Sequence, residues 1–129
     1  LCDHINVAFP AAAFIVTGDA SGQARSALTV GNINYYSVIR EKLRLNSGQL
    51  KVPAINPAIS DSQVLTNSIL QHHPVYFDPS MVHTIDDLLY VEVTDTGGID
   101  KHKDKHRSHL LDAVRYTFNT FHKHLLKIQ

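Results

Sequence analysis

Apolar and polar positions change their rhythm several times along the chain, and each change predicts an element. Leu1 to Phe9 reads as a helix that Pro10 breaks. Ala12-Ala13-Phe14-Ile15-Val16-Thr17-Gly18-Asp19 follows as an apolar run without alternation. Bounded by turn residues, it predicts a strand buried on both faces, as in a parallel sheet covered by helices. Between Asn32 and Leu45 the positions Ile33, Tyr36, Val38, Ile39 and Leu43 return to helical spacing, and Asn46-Ser47-Gly48 supplies the stop. Leu50 to Ile55 reads as a short strand that Pro53 demotes to an edge or an irregular strand.

After the Asn56-Pro57 turn, Ser60 or Asp61 can cap a helix whose apolar face is Val64, Leu65, Ile69 and Leu70, closed by His73-Pro74. Val75-Tyr76-Phe77 reads as a small strand ending at Asp78-Pro79. Thr84 is the expected cap of a helix through about Val93, with Asp86 and Asp87 favourably placed for its dipole. Thr94 to Gly98 is an exposed loop. The last element is the clearest: from about Ser108 to Leu126, six apolar residues (Leu110, Leu111, Val114, Phe118, Phe121, Leu125) fall within an arc of ~100°. Strands alternating with helices predict an α/β fold with a mainly parallel sheet flanked by helices.

Composition narrows the class. The 129 residues suffice for one compact domain, expected over 1–129, and 43% are apolar against 19% charged. Twelve basic residues balance twelve acidic ones, which argues against a dedicated nucleic-acid coat while leaving room for a local basic patch. Cys2 is the single cysteine, so no disulfide framework forms within the chain and an intracellular setting is expected. No apolar run approaches the roughly 20 residues that span a bilayer, and no membrane partner is expected. The chain opens in mid-element without Met, which reads as a fragment.

Two carboxylates stand out. Asp19 ends the apolar run and is followed by two small residues and Gly22; beyond the carboxyl end of a strand, such an acid can hold a hard cation or face a phosphate. The bland alternative is a turn or cap role. Asp112 lies on the last helix, about 100° beyond the apolar arc, with His109, Arg115, Tyr116 and Asn119 on the same polar face. Its alternative is a solvated flank. Meeting at one site, the two acids would suit Mg²⁺ or Mn²⁺, which polarise a phosphodiester and activate water. Lys101, Lys103, Lys105 and Arg107, interrupted by His102, Asp104 and His106, form a basic run just before that helix, where a DNA backbone could pass. His102, His106 and His109 have a spacing open to Zn²⁺, with no cysteine or second cluster to support it. There is no phosphate-binding loop of the ATPase type, and no GxSxG elbow.

Three stretches carry a family resemblance. Ile15-Val16-Thr17-Gly18-Asp19-Ala20-Ser21-Gly22, with Arg25 and Ser26 shortly after, resembles the motif in which a strand of phage terminase large subunits ends in Asp-Ala-Ser-Gly. Asn56-Pro57, then Asp61 and a helix, is similar to the family's Asn-Pro segment. Ser108-His109-Leu110-Leu111-Asp112-Ala113-Val114-Arg115-Tyr116 is similar to its closing His-x-x-Asp-Ala-x-x-Tyr helix.

The resemblance implies a ribonuclease H-like fold, incomplete at its N-terminus, and a metal-dependent endonuclease that cuts concatemeric double-stranded viral DNA. Asp19 and Asp112 would be metal ligands for Mg²⁺ or Mn²⁺, with His109 beside them. Ser21, Gly22 and Arg25 would shape the approach of substrate, joined by the basic run. The implied partners are DNA, the terminase ATPase domain, the small terminase subunit and the portal, in the cytoplasm of the bacterial host. The family's first acidic ligand belongs to an opening strand that has no counterpart here; Asp3 does not match it. An exposed sheet edge left by that gap would invite a homo-oligomer. A non-catalytic module docking to DNA or to packaging proteins is the alternative, and another ribonuclease H-like enzyme, such as a recombinase or resolvase, ranks third.

Overall fold

The computed structural model describes residues 1–24, 33–100 and 108–126. They fold as two compact units, Leu1–Asn56 and Pro57–Gln129. The expected α/β architecture is corrected outright. Helices hold 55% of the described residues and strand only 4%, with no sheet. The extended pairings are two isolated bridges, Val16 with Leu50 in parallel and Val93 with Ile99 in antiparallel sense. A ribonuclease H-like sheet is therefore not the fold of the described chain. No described helix is long and apolar enough to cross a membrane.

The failed strand has a physical reason. A parallel strand needs cover on both faces, yet Ala11 to Ala13 are exposed and Ile15 keeps 60% of its surface in solvent. The run remains extended and meets the 50–55 segment at one residue, with Val16 N donating to Gln49 O at 2.8 Å and Lys51 N to Val16 O at 2.7 Å. The Thr17 hydroxyl adds a bond to Lys51 O at 2.9 Å. Val75 to Phe77, expected as a strand, is irregular.

In the first unit, α1 (Cys2–Ala8) stops before Pro10 as expected, and α2 (Tyr35–Lys42) opens on a reciprocal capping box between Asn34 and Ser37. Buried Tyr36, Leu43 and Leu45 anchor α2 and its exit. Between the two leucines, Arg44 adopts a left-handed φ of 53°, which turns the chain while both neighbours point inward.

The second unit is helical. It contains α3 (Ile59–His72), α4 (Val82–Tyr90) and α5 (His109–Phe121). Its core is Leu65, Ile69 and Phe118, with Val75, Val114 and Leu125 packed against them. The face that α3 buries is shifted from the expected one. Leu65 and Ile69 go inside, but with Ser62 and Thr66, while Val64 is 61% exposed and Leu70 is exposed too. Neither Ser60 nor Asp61 caps α3; its N-cap is Ala58, without a side-chain bond. Thr84 lies inside α4 rather than at its cap. The closing helix ends at Phe121, and a short 3₁₀ turn, Lys123–Leu125, follows.

Candidate functional site

Asp19 sits where the extended run breaks into a 3₁₀ turn, Ala20–Gln23, and acts as that turn's N-cap. Its Oδ1 accepts from Ser21 N at 2.7 Å, the local bond expected of an aspartate in a tight turn. A second bond comes from far along the chain: Asn56 Nδ2 donates to the same Oδ1 at 2.8 Å. The other end of that amide, Asn56 Oδ1, accepts from Ala20 N at 2.7 Å. One side chain thus grips both the carboxylate and the peptide that follows it.

Tyr36 supports the loop from beneath. It is 8% exposed, and its hydroxyl donates to Asp19 O at 2.8 Å. The ring lies so close to the backbone that a Cβ built on Gly18 would stand 2.5 Å from its Oη, and one on Gly22 2.8 Å from its Cε2. Both glycines are needed for this approach. Burial first, and the negative charge of Asp19 second, push the Tyr36 phenol above its ordinary pKa.

Of the residues singled out from sequence, Ser21 and Gly22 are in this turn, with Gly22 N donating to Asp19 O at 3.1 Å. Arg25 lies outside the described residues, as do Lys101, Lys103, Lys105, Arg107, His102 and His106. His109 and Asp112 belong to the second unit. His109 is the exposed first residue of α5. Among the described residues, no three His, Cys, Asp or Glu side chains gather into a possible metal-binding group.

Asp112 has a definite local partner. Its Oδ1 pairs with Arg115 Nη1, one turn on in α5. Arg115 was expected on a polar, solvated flank, yet it is only 2% exposed. Its Nε and Nη2 both donate to Ser62 Oγ of α3, the former at 3.0 Å. The Ser62 hydroxyl donates onward to the carbonyls of Ala58 and Ile59, at 3.0 and 2.9 Å. A hydroxyl has one proton and two lone pairs, and here all are employed. The arrangement takes a cation out of water with its charge balanced and each of its three nitrogens making a hydrogen bond.

A second acid serves the same helix. Asp87, expected to favour the dipole of α4, is buried, and its Oδ2 accepts from Leu110 N at 3.0 Å and Leu111 N at 3.3 Å. It caps the first turn of α5, where Ser108 makes no side-chain cap.

Sequence reasoning missed Tyr36 and the bonding role of Asn56. Two glycines four residues apart, bracketing an aspartate, were a readable sign that something large comes close. No family model matches the chain, and no curated protein or solved structure matches it.

Proposed function

We propose that the protein acts in phage DNA packaging as a metal-dependent endonuclease of the terminase kind, cutting concatemeric double-stranded DNA. One observation carries this reading. The Asp-Ala-Ser-Gly stretch and the Asn-Pro stretch, 37 residues apart at Asp19 and Asn56, are joined by paired hydrogen bonds at the carboxylate that the resemblance marks as a metal ligand.

The donor chemistry suits the ion. Mg²⁺ and Mn²⁺ take oxygen ligands, and Mg²⁺ keeps several waters while using one or two carboxylates; an exposed loop aspartate offers such a ligand. Asp19 would hold the ion, which supplies polarisation of the phosphodiester and activation of water. Ser21 and Gly22 would keep the approach to it narrow, and Arg25 with the basic run Lys101 to Arg107 would steady the DNA backbone. Asp112 enters through its place on the closing helix and the resemblance, and His109 through the resemblance. The Arg115 guanidinium beside Asp112 opposes a second positive charge there. The terminase ATPase domain, small subunit and portal are the partners that go with this role, in the bacterial host.

The Asp112–Arg115 pair favours a second reading, docking to DNA or to packaging proteins without cleavage. Plasmid nicking in Mn²⁺ separates the two. Nicking by the wild type and none by Asp19→Ala supports the nuclease. Salt-sensitive DNA binding without nicking, weakened by Lys103→Glu and Lys105→Glu, supports docking instead.

A further inference from the structure

We infer that Asn56 is a positioning residue for Asp19, holding the carboxylate in the orientation in which it meets a divalent cation; this rests on the metal-binding reading of Asp19. The backbone amide of Ala20 can only donate, so the Asn56 atom facing it at 2.7 Å is the carbonyl oxygen Oδ1. That fixes the amide's orientation, and its NH₂ group is then the atom set 2.8 Å from Asp19 Oδ1. With Ser21 N at 2.7 Å, the same oxygen receives two donors from different directions.

A single local bond leaves a carboxylate free to rotate about its side chain. Two donors, one from the turn and one from a segment 37 residues away, do not. No other side chain of this length accepts from one group and donates to its neighbour while staying neutral. Aspartate would set a second negative charge against Asp19, and serine would not reach. The chain also stiffens Asn56 itself. Pro57 follows it, and a residue before proline is restricted to extended backbone. The Tyr36 hydroxyl, bonded to Asp19 O at 2.8 Å, fixes the main chain of the same residue. Asn56 therefore orients the ligand's side chain while Tyr36 orients its backbone. Groups that orient a metal ligand in this way typically change affinity about 10–100-fold when removed.

The test uses the full chain, Asn56→Ala, and Asn56→Leu, which removes both polar groups with little change of shape. Amide hydrogen exchange is followed without metal, and Mn²⁺ is then titrated. Loss of at least about tenfold in Mn²⁺ affinity, with faster exchange at Ala20 and Ser21 and unchanged exchange in α3 and α5, is the expected result. Undiminished Mn²⁺ affinity in a folded variant, where Asp19→Ala abolishes binding, overturns the positioning role and leaves the metal reading standing. Absence of Mn²⁺ binding in the wild type removes the metal reading, and the Asn56 role toward metal with it. Should neither variant fold, the wild type still decides: an Ala20 amide exchanging as fast as an unstructured one contradicts the bond on which the role depends.

Discussion

Asp19 and Tyr36 show how much of this molecule is set by individual polar contacts. Tyr36→Phe removes one bond to Asp19 O and should cost about 0.5–1.5 kcal/mol in denaturant unfolding of the first unit. Gly18→Ala or Gly22→Ala forces the ring away and should cost about 1–3 kcal/mol, the usual penalty of overpacking. The raised Tyr36 phenol fixes a sign for pH. A group whose pKa is higher folded than unfolded contributes fully below the unfolded value, near ~10, and loses that contribution as pH rises through the folded value. Ultraviolet titration should therefore show a late phenol ionisation that Tyr36→Phe removes; a high-pH titration left unchanged by Tyr36→Phe would contradict it. Asp78 has the opposite sign. Bonds from the Ser80 hydroxyl and then from Ser80 N hold it below the usual carboxylate range, so its contribution is present above the unfolded value and is lost as pH falls through the folded one. Ser80→Ala should bring the Asp78 titration, followed by NMR, back toward the ordinary range.

The α3–α5 pair is held by apolar packing on one side and by Ser62, Arg115 and Asp112 on the other. Asp112→Ala would leave a buried guanidinium without its counter-charge, a change that costs about 3–5 kcal/mol when a buried pair is broken. Ser62→Ala, which takes away the acceptor of two Arg115 donors, should cost about 1–3 kcal/mol. A chemical melt in which Asp112→Ala matches the wild type would show that the pair contributes nothing to folding. The helices themselves were legible from sequence because spacing of apolar residues reports a helix directly; α5 and the stop before Pro10 are cases in point. The buried face of α3 was not, because Ser62 and Thr66 count as polar in any hydropathy pattern and become core residues only through partners or close packing. Arg115 misled for the same reason: it lies only about 40° past the apolar arc of α5, near enough for a long side chain to turn inward once Asp112 and Ser62 meet its charge and donors.

At the scale of the whole molecule, the described chain is two helical units and not a sheet covered by helices. Local apolar runs misled here, because a run such as Ala12 to Val16 states a preference for burial but cannot supply the neighbouring strands and covering layers that burial requires. The aspartate at the end of that run was legible all the same, since a turn acid between glycines keeps its place whether or not a ladder forms. Asp19 lies in the first unit and Asp112 in the second, and their local environments differ: one carboxylate is exposed in a clamped turn, the other is committed to Arg115. The most direct measurement is a Mn²⁺ titration of the protein beside Asp19→Ala and Asp112→Ala, with each variant's fold checked by circular dichroism. Saturable binding that disappears in Asp19→Ala is the result predicted for a metal-facing Asp19. Binding that survives Asp19→Ala unchanged, or no binding by the wild type, would contradict it.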